Sequence, residues 1–129
     1  MRVGVIGLGG MGRGHVRVLK RLKIVTDVIG CDLNEAVRKA AAKDKILITA
    51  SVAELIAAAP QAVFVVTPPA HHAACIRACF EAGIPVFTEK PLAATIEDSR
   101  ALVALAQARG LAFQVGFELR YCGLTRAMR

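Results

Sequence analysis

The chain has 129 residues, of which 55% are hydrophobic, 17 are basic and 10 are acidic, so its formal net charge is +7. This is the length of one ordinary domain, and the apolar content is ample for a sizeable core. The longest apolar stretch, residues 55–70, contains three prolines, which excludes a continuous membrane-spanning helix of about 20 residues. The basic residues are dispersed and aromatic residues are few, so no nucleic-acid surface is predicted, whereas a small phosphate-bearing ligand suits the charge.

The amino-terminal sequence and the cysteines help to predict the cellular compartment of the protein. The opening MRVGVIGLGG reaches glycines too early for the apolar core of a signal peptide. The four cysteines (Cys31, Cys75, Cys79 and Cys122) lack CxxC spacing and lie in apolar or helical contexts. We therefore expect reduced, packed thiols and a cytoplasmic location.

Taken in chain order, short apolar runs alternate with segments of helical periodicity. A strand is predicted in RVGVIG, followed by a helix from Met11 to Leu22. Later strands are predicted in IVTDVIGCD, KILIT, AVFVVT, IPVFTEK and LAFQVGF. The helices between them are predicted in NEAVRKAAAK, VAELIAAA, AHHAACIRACFEAG and residues 95–109, with caps at Asn34, Ser51 and Thr95 and stops at Gly83 and Gly110.

Six apolar strands separated by five helices predict one fold class. Strands that are apolar on both faces favour a parallel sheet covered by helices on both sides. The expected architecture is therefore α/β, a doubly wound parallel sheet of the Rossmann type in three layers, α/β/α. The remaining segment, residues 118–129 (ELRYCGLTRAMR), is predicted to open another helix.

A glycine-rich sequence joins the first strand to the first helix. Gly7, Gly9 and Gly12 form a GxGxxG pattern in which the first glycine makes a tight turn, the second admits a pyrophosphate and the third allows close packing. Free amides at the start of the helix, with the positive end of its dipole, then face the phosphates. The predicted cofactor-binding residues of this loop are Gly7, Leu8, Gly9, Gly10, Met11 and Gly12.

An acidic residue follows the second strand at the spacing that the loop requires. Asp32 lies 20 residues after Gly12, where a carboxylate accepts hydrogen bonds from an adenosine ribose diol. Because the same carboxylate repels a 2′-phosphate, NAD is predicted over NADP. Arg13, Arg38 and Lys39 leave NADP possible.

Three loops are expected to meet beyond the carboxyl ends of the strands, where open parallel sheets bind ligands. They are GLGGMG, TPPAHH and TEKPL. The last carries Glu89 and Lys90, with Pro91 biasing Lys90 towards an extended conformation. Without the other motifs, Glu89 and Lys90 are better interpreted as a solvated surface pair.

The sequences VIGLGGMG, VTPPAHH, EKPL and QVGFELRY, with Asp32 after the first, resemble in order and spacing the amino-terminal domain of the Gfo/Idh/MocA oxidoreductases. The resemblance covers nearly the whole chain. It implies reversible hydride transfer between NAD(P) and a sugar, polyol or related hydroxy compound. It also implies that Lys90 is catalytic, contacting the reacting substrate oxygen and helping to place the nicotinamide. The residues implied to line the cofactor cleft are Thr67, Pro68, His72, Glu89 and Lys90.

This chain departs from the family pattern in two ways. Pro69 stands where the family often has asparagine, so that side-chain contact is lost. Family members also carry a second domain, which forms the substrate wall and oligomer interface and holds an Asp and His pair for proton transfer. No such segment is present in this sequence. We therefore expect a dinucleotide-binding domain at 1–117, the start of a linking helix at 118–129, and self-association through apolar surface that a second domain covers.

Two functional hypotheses remain open from sequence, besides a weaker third, a nucleic-acid binder that uses the basic surface. The first is the cofactor domain of a nicotinamide-dependent oxidoreductase that binds NAD without full activity alone. The second is a non-catalytic dinucleotide-binding or redox-sensing module. His71, Cys75 and Cys79 share one helical face, but four-residue steps rarely complete a tetrahedral metal site, and no metal is predicted. His15 is interpreted as a surface or packing residue of the first helix.

Overall fold

The computed structural model describes residues 1–123 and 127–128, in which helices alternate with parallel strands. The strands are β1 (Arg2–Ile6), β2 (Asp27–Cys31), β3 (Leu47–Thr49), β4 (Ala62–Val65), β5 (Val86–Thr88) and β6 (Phe113–Val115). The α-helices are α1 (Gly10–Leu19), α2 (Glu35–Ala41), α3 (Val52–Ala57), α4 (Pro69–Glu81) and α5 (Ile96–Ala108). Two 3-10 turns cover Ala42–Asp44 and Glu118–Tyr121.

The six strands form one sheet in the order β3-β2-β1-β4-β5-β6, and every neighbouring pair is parallel. The order reverses between β1 and β4, which lie side by side at the centre. This arrangement confirms the predicted doubly wound Rossmann architecture. It also places the crevice for a ligand beyond the carboxyl ends of β1 and β4.

The core lies on both faces of this sheet. Val3 and Val5 of β1 pack in one buried cluster with Val16 of α1. Ile6, on the opposite face of the same strand, joins a second cluster that contains Phe80 of α4. Both faces of β1 are therefore dry, as expected for a central parallel strand.

The predicted helix starts are confirmed by side-chain caps. Asn34 Oδ1 accepts from the amide of Ala36 at 2.9 Å, and Ser51 Oγ accepts from that of Glu54 at 3.1 Å. Thr95 Oγ1 likewise accepts from the amide of the third residue along, at 3.1 Å. Each bond satisfies a donor that the first turn of a helix leaves unpaired.

Several predicted boundaries were wrong. Helix α1 ends at Leu19 rather than Leu22, because the chain tightens into i to i+3 turns, including a bond from the Leu22 amide to the carbonyl of Leu19 at 3.0 Å. Strand β2 begins at Asp27, where pairing with Arg2 begins, rather than at residue 24. Residues 118–121 form a 3-10 turn, while the linking helix expected at 118–129 stays a prediction, because it includes residues 124–126 and 129, which lie outside the described residues.

Over the described part of the chain, no helix has both the length and the apolar character needed to cross a membrane.

The 3-10 turn Ala42–Asp44 is fastened to α1 by an ion pair, which predicts an acid-dependent loss of stability. Arg13 Nε lies 2.6 Å from Asp44 Oδ2, and this hydrogen bond holds the pKa of Asp44 below its usual range. The stabilisation is therefore complete above the ordinary carboxyl pKa of about 4 and disappears as the pH falls through the lower folded value. In urea unfolding at a series of pH values, Asp44→Asn should lower the midpoint near neutrality and reduce its fall in acid.

The matched control is Asp27→Asn, because the ion pair of Asp27 with Arg2 is about half exposed and contributes little. Wild-type and Asp44→Asn midpoints that fall in parallel with acid would show that Asp44 does not carry the effect.

Candidate functional site

The turn between β1 and α1 is possible only with glycine at two positions. Gly7 has a φ of +94°, and a Cβ there would lie 2.8 Å from the carbonyl carbon of Val66. A Cβ on Gly12 would lie 1.8 Å from the carbonyl oxygen of Gly7, far inside any contact distance. The amide of Gly7 donates to the carbonyl of Cys31 at 2.8 Å. The start of α1 is thus pressed against the end of β1, with β2 and β4 on either side.

Between Gly7 and Gly12, the loop that joins β1 to α1 leaves an open space, which we call the glycine cradle. A Cβ at Gly9 or Gly10 would meet no atom within 4 Å. Gly9 is the N-cap of α1 and provides no side-chain acceptor, and the first turn of the helix contains no acidic residue. The amide end of α1 therefore offers its positive dipole and unsatisfied donors to an anion.

Asp32 faces this cradle from the end of β2. Its Oδ2 accepts from the amide of Leu8 at 2.8 Å, and its Oδ1 accepts from the amide of Asn34 at 2.9 Å. The carboxylate is partly exposed and each oxygen keeps a free lone-pair direction. Two backbone amides thus orient a carboxylate that can still accept from a diol.

A cleft of about 680 Å³ lies between these elements. It is lined by the predicted residues Gly7, Gly9, Gly10, Met11, Gly12, Asp32, Thr67 and Pro68. Leu8 is fully buried, so only its backbone takes part. Cleft residues that were not among the predicted site residues are Ile6, Cys31, Leu33, Asn34, Val37, Val52, Val66, His71, Ala74 and Cys75. Their sequence signal is position, since they end or follow the strands β1, β2 and β4 or lie on the helices α2, α3 and α4.

His72 was predicted to line the cleft, but the structure places it behind the wall. The ring is fully buried, with Nε2 2.7 Å from the carbonyl oxygen of Thr67 and Nδ1 2.8 Å from that of Pro91. A carbonyl oxygen accepts only from a nitrogen that carries a hydrogen, and the hydroxyl of Thr88 lies 3.3 Å from Nδ1 as a further partner. His72 therefore ties the loop after β4 to the loop after β5. The peptide bond between Lys90 and Pro91 is cis.

Thr67 carries a buried hydroxyl oxygen for which no strong hydrogen-bond partner is found among the described residues, since the neighbouring thiol of Cys75 is only a weak partner. The residue lines the cleft after β4. Together with the open glycines and the uncapped helix, this unsatisfied oxygen fits a polar ligand with phosphate and ribose groups.

Glu89 and Lys90 line a second pocket of about 450 Å³ rather than the main cleft. Met11 lines both pockets, so the two adjoin at the first turn of α1. His15, interpreted from sequence as a surface or packing residue, lies here with its Nε2 2.9 Å from Glu89 Oε1. The signal was present, because His15 follows Met11 by four residues and therefore shares its helical face.

The three residues considered as metal ligands from the sequence, His71, Cys75 and Cys79, do not share one site in the structure. His71 and Cys75 line the cleft, whereas Cys79 is fully buried in the core. In the ranges 1–123 and 127–128, no group of three potential metal ligands is found.

The buried thiol of Cys79 should be inert, because burial raises its pKa to about 12. At pH 8 the reactive thiolate is then roughly one molecule in 10,000. In a timed reaction with a thiol-specific reagent, followed by peptide mass spectrometry, we expect half-exposed Cys122 to be labelled far faster than Cys79. Labelling in denaturant is the control and should equalise the two. Equal rates in the native protein would contradict the burial of Cys79.

The fold and the cleft define a dinucleotide-binding protein of the Rossmann class. The family model described as an oxidoreductase family with an NAD-binding Rossmann fold, Gfo/Idh/MocA, matches residues 1–117. The chain belongs to this family.

Curated relatives include several inositol dehydrogenases. The chain is 38% identical over 128 residues to inositol 2-dehydrogenase of Agrobacterium fabrum, a match that covers 94% of this chain and 38% of the relative. It is 33% identical to UDP-N-acetylglucosamine 3-dehydrogenase of Acidithiobacillus ferrooxidans, over 90% of this chain and 36% of that protein. The chain thus spans well under half the length of these relatives.

Solved structures show the same fold. UDP-N-acetylglucosamine 3-dehydrogenase from Acidithiobacillus ferrooxidans superposes with a TM-score of 0.87 at 31% identity, over 100% of this chain and 42% of that one. Myo-inositol 2-dehydrogenase from Lactobacillus plantarum gives a TM-score of 0.88 at 26% identity, over 99% of this chain and 39% of that one.

Proposed function

We propose that this chain is the cofactor-binding part of a nicotinamide-dependent oxidoreductase, transferring a hydride between NAD and a sugar, polyol or related hydroxy compound. One observation carries the proposal. The open glycine cradle faces Asp32 across a single cleft, and that cleft adjoins, at Met11, the pocket that holds Lys90. In this proposal residues 1–117 form the dinucleotide-binding domain, and residues 118–129 lead into a second domain.

Each group of residues has a distinct role in this proposal. Amides of the first turn of α1 bind the pyrophosphate, with Gly9 and Gly10 allowing its close approach. Asp32 accepts from the adenosine ribose. Thr67 and Pro68 form the opposite wall, where the unsatisfied Thr67 hydroxyl is available to a ribose or phosphate oxygen.

NAD is proposed over NADP because the three cations noted in the sequence are already engaged. Arg13 pairs with Asp44 at 2.6 Å. Arg38 Nη1 donates to two backbone carbonyls, at 2.9 and 2.8 Å, and Lys39 pairs with Glu35 at 2.7 Å. The 2′-phosphate of NADP would therefore be repelled by the carboxylate of Asp32, while none of these three cations is free to bind it.

The chemistry proposed for Lys90 follows from its charge and position. Bound NAD supplies the hydride acceptor when a hydroxy compound is oxidised. As the hydride leaves carbon, negative charge builds on the substrate oxygen, and an ammonium group beside that oxygen stabilises it. Lys90 is exposed at the mouth of the second pocket, where a small hydroxylated substrate can reach it. The names of the relatives favour inositols and nucleotide sugars as the substrate class.

Substitution of Lys90 should separate turnover from cofactor binding. In the longest protein that the gene encodes, Lys90→Ala should lower kcat by about a hundredfold or more, because a preorganised charge at a developing oxyanion is lost. The Kd for NAD should change by less than about threefold. Lys45→Ala, a surface lysine on the opposite edge of the sheet, is the control. If turnover and NAD affinity fall by equal factors, Lys90 contributes to cofactor binding and not to the chemical step.

Titration calorimetry tests the cofactor proposal. The purified chain should bind NAD+ at one site and should bind NADP+ with a clearly higher dissociation constant. Absence of heat with either nucleotide would overturn the proposal. If NAD+ binds but no inositol, polyol or nucleotide sugar is oxidised by the full gene product, the chain is the non-catalytic or redox-sensing module instead.

Location and assembly form a smaller part of the proposal. We place the protein in the cytoplasm and expect the chain to self-associate through apolar side chains near its carboxyl end. Phe117, Leu119, Tyr121 and Met128 are each at least 46% exposed. Light scattering that shows only monomer at high concentration would count against self-association.

A further inference from the structure

We infer that His15 is a positioning residue: through its contact with Glu89 it fixes the loop that carries Lys90 against helix α1. This inference rests on the proposed function, because it concerns the end of the site where the nicotinamide ring would lie. It assigns a role to a side chain that the glycine motif, Asp32 and the EKP sequence leave out.

The contact joins two elements that are remote in the chain. His15 lies on α1, and Glu89 follows β5. The 2.9 Å separation between His15 Nε2 and Glu89 Oε1 is a hydrogen-bond distance, and the two side chains are only 22% and 17% exposed. Charge-assisted hydrogen bonds of this kind are stronger than neutral ones and lose less to solvent when partly buried.

Each partner is held in place by further contacts. The ring of His15 lies 5.5 Å from that of Phe64 and 5.7 Å from that of Phe87, measured between centroids. The other carboxylate oxygen of Glu89 accepts from the amide of Lys90 at 3.3 Å. The carboxylate therefore connects the imidazole on α1 to the backbone of the residue proposed to be catalytic.

The contact with Glu89 matters because His15 lies on α1, the helix that borders both pockets. Met11, one turn earlier on α1, lies where the main cleft adjoins the pocket of Lys90. The helix that offers its first turn to the pyrophosphate thus also sets the distance to the loop after β5. Loss of the His15 to Glu89 contact should loosen the wall of the second pocket and leave the pyrophosphate cradle unchanged.

Two substitutions isolate the hydrogen bond. His15→Leu keeps an apolar group against Phe64 and Phe87 but removes the donor. His15→Gln is the matched control, because its side-chain amide can still donate to Glu89. Binding is measured by calorimetry for NAD+ and for ADP-ribose, which has the adenosine, pyrophosphate and second ribose but no nicotinamide ring. Amide hydrogen exchange of residues 88–92, measured without ligand, reports the loop directly.

His15→Leu should weaken NAD+ binding by about tenfold, leave ADP-ribose binding within about twofold, and speed exchange at residues 88–92. His15→Gln should restore all three values. Equal losses for the two ligands, or no change in exchange, would overturn the inference. If wild-type protein binds neither ligand, the proposed function fails, while the exchange comparison still decides whether His15 fixes the loop.

A second cycle covers the case in which His15→Leu does not fold. Glu89→Gln should reproduce the selective loss of NAD+ affinity, and Glu89→Gln with His15→Ala, which removes the donor by truncation, should be no weaker than Glu89→Gln alone, because the charged acceptor is already gone. Additive losses in this pair would show that the two side chains act independently and would overturn the inference.

Discussion

Gly12→Ala should abolish measurable NAD+ binding and lower the free energy of unfolding by about 2–3 kcal/mol, the upper part of the range for overpacked sites. The reason is geometric: the new Cβ would lie 1.8 Å from the carbonyl oxygen of Gly7 and 2.8 Å from its carbonyl carbon, and these backbone atoms cannot rotate aside as a side chain can. Helix α1 must then move away from β1, which displaces the amides of its first turn. Urea unfolding and calorimetry measure the two effects.

Gly14→Ala is the matched control on the same helix. A Cβ at Gly14 meets no atom within 4 Å, so this change should only remove the helix penalty of glycine, a gain of about 1 kcal/mol. NAD+ affinity should be unchanged. If Gly12→Ala and Gly14→Ala behave alike, the close approach of α1 to β1 is not what shapes the site.

Asp32→Ala should weaken NAD+ by more than about tenfold and bring the affinity for NADP+ close to that for NAD+. Both of its carboxylate oxygens accept backbone amides, from Leu8 and Asn34, so the substitution removes the ribose acceptor and also releases two donors. The measured quantity is the ratio of the two dissociation constants, because a general disruption of the loop lowers both affinities and leaves the ratio unchanged.

Asp27→Asn serves as the control for this substitution. Asp27 lies at the opposite end of β2 and pairs with exposed Arg2, so the ratio should stay at the wild-type value. A wild-type ratio in Asp32→Ala would refute the role proposed for Asp32 in choosing the nucleotide.

The fold could be predicted from the sequence because its signals are local. Strands such as β1 are apolar on both faces, and Asn34, Ser51 and Thr95 announce the helices that follow. The errors fall where tertiary pairing decides an end. Residue 24 is apolar and fits the pattern of β2, yet it is 68% exposed because the neighbouring strand begins only at Arg2.

The residues of the candidate site also differ in whether a local sequence pattern could predict them. Gly7, Gly12 and Asp32 could be predicted because their spacing encodes the geometry of one turn. The partnership of His15 with Glu89 joins residues 74 positions apart, and no local pattern records it. His72 shows the opposite case, since a motif position predicted to line the cleft is buried and contacts two carbonyl oxygens and the hydroxyl of Thr88.

A dinucleotide pyrophosphate is proposed to bind to the amides at the start of α1. Backbone amide NMR of the chain titrated with NAD+ shows whether these amides are the ones that meet the nucleotide. We expect the largest chemical-shift changes at Gly9, Gly10, Met11 and Gly12, with a second group at Leu8 and Asn34 beside Asp32. Saturable NAD+ binding that leaves these amides unmoved and shifts another face of the sheet would contradict the proposal.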